Sequence, residues 1–103
     1  MFFRGNKEDM DKKYKFAYSG SFDPWTKGHS YVLISFLERD SDANVDIIIA
    51  KNISKKVMFT LEERKFIIEN SIPDRFQDRI RVTIVEGIVA DYLYEKNIPY
   101  LIK

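Results

Sequence analysis

One short segment, residues 45–50, constrains the fold more than any other part of this sequence. It reads Val-Asp-Ile-Ile-Ile-Ala and is rich in β-branched residues. This composition is typical of a strand that is buried on both faces, as the strands of a parallel sheet are. A parallel strand needs crossover connections to its neighbours, and these are usually helices. The segment therefore predicts an α/β protein.

The rest of the chain alternates between strand and helix patterns. Stretches rich in aromatic or β-branched residues predict strands at 14–18, 80–85 and 100–102. Helical patterns follow at 28–37, from 61 to about 70, and at 88–96, and residues 74–79 read as a polar connector. Thr60 and Glu63 form a capping box at the start of the second helix. The order β-α-β-α-β-α-β predicts a doubly wound, Rossmann-like parallel sheet of about four strands and three helices over residues 14–103.

Composition argues against several classes of function. The net charge is +1 and no basic stripe is present, so binding to nucleic acid is not expected. The chain has no cysteine and one histidine, which argues against disulfides, thiolate zinc sites and other transition-metal sites built from protein ligands alone. Residues 1–13 form a polar N-terminal extension without the apolar core of a signal peptide, and no apolar run approaches the roughly 18 residues of a membrane span. We expect a cytoplasmic protein.

The loop between the first strand and the first helix carries the candidate chemistry. It reads Ser-Gly-Ser-Phe-Asp-Pro-Trp-Thr-Lys at 19–27 and leads into Gly28 and His29. In open α/β sheets, ligands collect at the carboxyl ends of the strands. The N-terminus of the following helix offers unpaired N–H groups and a partial positive charge to an anion such as phosphate. The sequence therefore predicts an anion site beside His29, although the loop is neither a dinucleotide fingerprint nor a Walker A motif.

Two stretches carry a resemblance to a known family. The run Gly-Ser-Phe-Asp-Pro followed by Thr-Lys-Gly-His resembles the first motif of the nucleotidyltransferase superfamily and, within it, phosphopantetheine adenylyltransferase. The run Ser-Lys-Lys followed by Phe-Thr-Leu-Glu-Glu-Arg, within residues 54–64, is similar to a second segment of the same family. This second stretch follows the second predicted strand, so both stretches are expected at the same edge of the sheet.

The resemblance implies a reaction and a set of residues. The reaction is transfer of AMP from ATP to 4′-phosphopantetheine, which gives dephospho-coenzyme A and pyrophosphate. The resemblance implies that His29 and Lys55 act on the reacting phosphates, and that a magnesium ion is held by substrate oxygens and water. The substrate-binding positions are Gly20, Ser21, Phe22, Gly28, Val89 and Lys103. Among these, Gly28 is expected to permit close approach of a phosphate that a side chain would obstruct.

Two residues of the first loop keep simpler interpretations. Asp23 precedes proline and is interpreted as a turn-forming residue. Trp25 is either an aromatic lid over the site or part of the core, and the sequence does not decide between the two.

The resemblance covers nearly the whole chain but only the front part of a typical family member. Lys103 stands where the family begins an Arg-Gly-Leu-Arg run, and the later Ile-Ser-Ser-Thr-type motif is missing. The sequence thus predicts either a fragment or a shortened relative that borrows the missing wall from another subunit. A sheet edge exposed at residues 100–102 would favour a homo-oligomer. The alternatives are a cytidylyltransferase of a small phosphorylated alcohol and a catalytically silent nucleotide-binding module.

Overall fold

The computed structural model describes residues 13–51 and 56–103, and these form a sheet flanked by helices. The four strands of the described part are β1 (Phe16–Gly20), β2 (Val45–Ala50), β3 (Ile80–Val85) and β4 (Tyr100–Leu101). The α-helices between them are α1 (Lys27–Arg39), α2 (Leu61–Ser71) and α3 (Val89–Glu95), and a 3-10 helix (Asp74–Arg79) precedes β3. The predicted alternation of strands and helices is confirmed.

The sheet is parallel throughout, with the strand order β3-β2-β1-β4. The chain moves outward from β1 through β2 to β3, and then returns to place β4 on the other side of β1. This reversal makes the sheet doubly wound, as the sequence predicts. It also puts the topological switch point between β1 and β4, where the crevice of an open α/β sheet binds its ligands.

Apolar cores lie on both faces of the sheet. The larger core packs α1, α2 and the 3-10 helix against one face; its fully buried side chains include Leu33, Leu37, Ile47, Ile49 and Ile68. The smaller core packs α3 against the other face around Ala17, Ile48, Val85 and Ile98. Consecutive isoleucines of β2 thus point into opposite cores, which confirms that this strand is buried on both faces. Burial of each such side chain contributes about 1.5–3 kcal/mol.

Capping boxes start both α1 and α2. At α2, the Thr60 side chain accepts a hydrogen bond from the Glu63 N–H (3.0 Å), and the Glu63 carboxylate accepts one from the Thr60 N–H (2.8 Å). This pair is the one that the sequence predicts. At α1 the same arrangement joins Thr26 to His29, with an imidazole in place of the carboxylate.

Several predicted boundaries are corrected by the structure. β1 lies two residues later than predicted because its ladder with β2 extends as far as the pair Gly20 and Ile49. Residues 74–79 form a 3-10 helix instead of a plain connector, because Phe76 is 4% exposed and anchors the segment in the larger core. Residues 1–12 of the predicted extension lie outside the described residues. Within the described part of the chain, no helix is long and apolar enough to span a bilayer.

Candidate active site

The candidate site lies where β1 ends and α1 begins. Gly20 is the last residue of β1, and the loop that follows it reaches α1 at Lys27. The N-terminus of α1 therefore faces the carboxyl edge of the sheet, next to the switch point between β1 and β4. This is the position that the sequence predicts for an anion site.

A cluster of aromatic rings supports this loop. Phe22 turns back under the strand with a φ of 49° and is 4% exposed. Its ring lies 5.4 Å from the ring of Tyr18, 4.9 Å from that of Trp25 and 5.0 Å, edge-on, from that of His29. Edge-to-face contacts at these separations add to the stability gained by burial. The aromatic cluster therefore holds the imidazole ring of His29 in place from below.

Trp25 belongs to this cluster and to the core. It is 5% exposed, and its indole N–H donates to the Ser30 hydroxyl at 2.6 Å. Of the two interpretations left open by the sequence, packing is therefore the one that the structure supports.

The surroundings of Gly20 and Gly28 differ in whether they would accommodate a side chain. A Cβ on Gly20 would lie 3.0 Å from the ring of Phe22, so glycine at this position lets the aromatic ring fold back. A Cβ on Gly28 would meet only the Thr26 hydroxyl, at an ordinary 3.6 Å. The close packing of Phe22 therefore explains why residue 20 is glycine. Close approach of a phosphate at Gly28 stays a prediction.

The tautomer of His29 follows from its capping bond. The Thr26 N–H donates to Nδ1 at 2.9 Å, so Nδ1 is an acceptor and the proton of the neutral ring is on Nε2. Among the described residues, no group accepts a hydrogen bond from Nε2. His29 is half-buried and occupies the first turn of α1, where the positive end of the helix lies. The side chain thus offers an N–H donor at a point that attracts anions.

Asp23 does more than form a turn. Its carboxylate accepts hydrogen bonds from two consecutive backbone N–H groups of the second family-like stretch, those of Met58 (2.7 Å) and Phe59 (2.8 Å). This contact joins loops that are about 35 residues apart in the sequence. The interpretation of Asp23 as a structural residue is supported, but its role is to connect the two loops.

Arg64 completes this connection from α2. The side chain is 4% exposed, and its Nε donates to the Phe59 carbonyl oxygen (2.9 Å) while Nη1 donates to the Ser21 carbonyl oxygen (3.1 Å). Nε also lies 3.9 Å from the Asp23 carboxylate. We call Asp23 and Arg64, with these bonds, the loop clamp. The sequence does not predict the loop clamp, because its partners are far apart in the sequence and leave little local signal.

The remaining predicted residues are distributed along the same edge of the sheet. Ser21 follows β1 directly, and Lys103 is exposed beyond β4, which is the neighbour of β1. Val89 begins α3 and is half-buried against the smaller core, on the other face. Lys55 lies outside the described residues.

Lys51, directly after the end of β2, is bonded to the end of β3. The Lys51 N–H donates to the Val85 carbonyl oxygen (3.1 Å), and its ammonium group pairs with the exposed Glu86 carboxylate at 3.1 Å. The described residues include no cluster of three or more His, Asp or Glu side chains that could hold a metal ion. The expectation that substrate oxygens and water hold a magnesium ion stays a prediction.

Comparison with known proteins identifies relatives over most of the chain. A phosphopantetheine adenylyltransferase of Dictyoglomus thermophilum is 38% identical over 91 residues, which is 86% of this chain and 52% of that protein. Enzymes of the same name from Syntrophomonas wolfei and Thermotoga neapolitana are 40% and 33% identical, each over 84% of this chain and 52% of the relative. No family model matches the chain. The chain spans about half the length of these curated relatives.

Proposed function

The chain belongs to the phosphopantetheine adenylyltransferase family, about half of whose length it spans, and on that basis we propose that it transfers AMP from ATP to 4′-phosphopantetheine. The products are dephospho-coenzyme A and pyrophosphate. The observation that carries the proposal is the position of His29, whose Nε2–H is available at the helix terminus beside the switch point. The relatives that match most of this chain are named as this enzyme.

The reaction asks mainly for positioning and for donors to charged oxygens. An oxygen of the acceptor phosphate attacks the α-phosphorus of ATP, and the bond from that phosphorus to the bridging oxygen breaks as pyrophosphate leaves with the electron pair. Negative charge on the α-phosphoryl oxygens is stabilised by preorganised donors. His29 is the proposed donor, and Lys55 is the proposed second cationic group. Magnesium would neutralise the outer phosphates and keep most of its waters.

The other proposed substrate contacts follow the geometry of the sheet edge. Gly20, Ser21 and Gly28 would face the phosphates from the loop after β1, with Phe22 behind them. Lys103 would approach from the end of β4. Val89 would contact the pantetheine arm from the start of α3.

The first test is calorimetric titration of the chain with ATP–magnesium and, separately, with 4′-phosphopantetheine. We expect both to bind and turnover to fall by about 10²–10³-fold in His29→Ala, the usual loss for one such donor. His29→Gln is the matched control, because glutamine can keep the capping bond to Thr26 without an imidazole N–H. Retention of full activity in both variants would remove His29 from the mechanism.

The competing functions give different results in the same assay. Turnover with CTP in preference to ATP would support a cytidylyltransferase. Binding of 4′-phosphopantetheine without ATP would indicate an incomplete adenylyltransferase, and binding of ATP without turnover would indicate a silent nucleotide-binding module. Binding of neither would refute the proposed activity for this chain. Comparison of the two nucleotides therefore separates the enzyme classes.

Self-association is the second prediction that rests on the proposed function. β4 pairs with β1 on one side, while Tyr100 and Leu101 remain 56% and 50% exposed. An apolar strand at a sheet edge favours pairing with another chain. We expect sedimentation velocity to show a concentration-dependent oligomer that is abolished by Leu101→Lys.

Tyr31→Lys is the control for this experiment, since Tyr31 is 72% exposed and belongs to helix α1, not to the β4 edge. It should leave the oligomer intact. A monomer at every concentration of the unsubstituted chain would refute self-association.

A further inference from the structure

A fully buried carboxylate lies beneath α3, away from the loops of the candidate site. Asp46 is on β2 and is 0% exposed. It accepts hydrogen bonds from the Tyr92 hydroxyl (2.6 Å), the Arg81 guanidinium (2.9 Å) and the Thr83 hydroxyl (2.7 Å). Two donors come from β3 and one comes from α3. A charge buried to this extent persists in a fold only when it is paired and hydrogen-bonded.

Helix α3 has few other attachments to the sheet. It is seven residues long, has no side-chain cap and contains no fully buried residue. A helix of this length is not stable without tertiary packing. Its apolar packing on the smaller core comes from Val89, Tyr92 and Leu93. Within the described part of the chain, Tyr92 is the residue of α3 whose side chain forms hydrogen bonds to a strand.

The Tyr92 hydroxyl is suited to act as a permanent donor. Burial raises the pKa of Tyr92, and the hydrogen bond to Asp46 raises this pKa further. The phenol therefore stays protonated at neutral pH. Tyr92 also lies one turn after Val89, so the two side chains share one face of the helix.

We propose that Tyr92 and Asp46 are positioning residues for the acceptor substrate. Their hydrogen bond fixes α3 on the sheet, and so sets where its first turn and Val89 stand at the carboxyl edge. The inference rests on the proposed function, in which Val89 contacts the pantetheine arm. The ATP side is held separately, because His29 and the loop clamp are attached through α1 and α2 on the opposite face.

The test compares Tyr92→Phe with Tyr94→Phe. Both substitutions remove one hydroxyl from the same helix, but Tyr94 is 86% exposed and serves as the matched control. Dissociation constants are measured by calorimetry for 4′-phosphopantetheine and for ATP–magnesium, together with amide hydrogen exchange of α3. We expect Tyr92→Phe to weaken acceptor binding by about five- to tenfold, as for the loss of one hydrogen bond, and to speed exchange in α3. ATP binding should stay within about twofold, and Tyr94→Phe should change neither constant.

The outcomes separate this inference from the function on which it rests. If the unsubstituted chain fails to bind 4′-phosphopantetheine, the proposed function is refuted for this chain, and acceptor positioning falls with it. If the unsubstituted chain binds the acceptor but Tyr92→Phe behaves like Tyr94→Phe, the positioning role alone is refuted. Equal weakening of ATP and acceptor binding in Tyr92→Phe would also overturn it, since a general loss of structure would then explain the result.

Discussion

Replacing Arg64 by alanine is expected to lower the free energy of unfolding by about 3–5 kcal/mol, the usual cost of removing one partner from a buried charge pair. The Ser21 and Phe59 carbonyl oxygens would lose a donor, and the Asp23 carboxylate would lose the guanidinium that lies 3.9 Å away. Since this clamp joins the two loops of the site, ATP affinity should fall as well. Urea unfolding followed by circular dichroism measures the first effect, and calorimetry measures the second.

Two further variants make the result for Arg64 interpretable. Arg64→Lys keeps the charge but cannot donate to both carbonyls in the same fixed geometry, so it should recover only part of the stability. Arg75→Ala is the surface control, because Arg75 is 61% exposed and pairs with Glu38 in solvent; it should cost less than about 1 kcal/mol. Equal losses for Arg64→Ala and Arg75→Ala would contradict a structural role for the clamp.

Replacing Asp46 by alanine should have a comparable effect on stability. The substitution leaves Arg81, Thr83 and Tyr92 without their shared acceptor, and we expect a loss of about 3–5 kcal/mol. That is a large fraction of the stability of a small domain. Urea unfolding of Asp46→Ala is the measurement, with Asp46→Asn as a milder variant if the alanine protein does not fold.

Asp42→Ala is the control for this substitution, since Asp42 is exposed and precedes the same strand. It should change stability by no more than about 0.5 kcal/mol. An Asp46→Ala protein as stable as Asp42→Ala would show that the buried network contributes nothing net, as is found for some buried ion pairs.

The fold could be predicted because its signals are local. Alternating strand and helix patterns, the apolar run of β2 and the capping box at Thr60 each lie within a few consecutive residues. The position of β1 is harder to predict, because its ends depend on pairing with β2 and not on its aromatic content. The 3-10 helix was missed for a similar reason, since it depends on one buried side chain, Phe76, in a polar segment.

The site was predictable in its motif residues but not in its supporting contacts. His29 could be placed at a helix terminus from sequence spacing, yet the tautomer of its ring needs the Thr26 bond. The loop clamp and the Asp46 network join residues that are distant in the sequence, and no local pattern encodes such a pair. One signal was nevertheless available: an aspartate within the isoleucine-rich β2 segment must find partners if the strand is buried.

The strand order also affects how the chain folds during synthesis. Among the strands of the described residues, β1 is made first, but its pairing partner on one side, β4, lies almost at the other end of these residues. That side of β1 therefore stays unpaired until nearly all of these residues have been synthesised, while β2 and β3 can already assemble on the opposite side. Contacts so distant in sequence form slowly, and unpaired strand edges promote aggregation of folding intermediates. Among the four described strands, the pairing that completes the crevice at the switch point is thus the last to become possible.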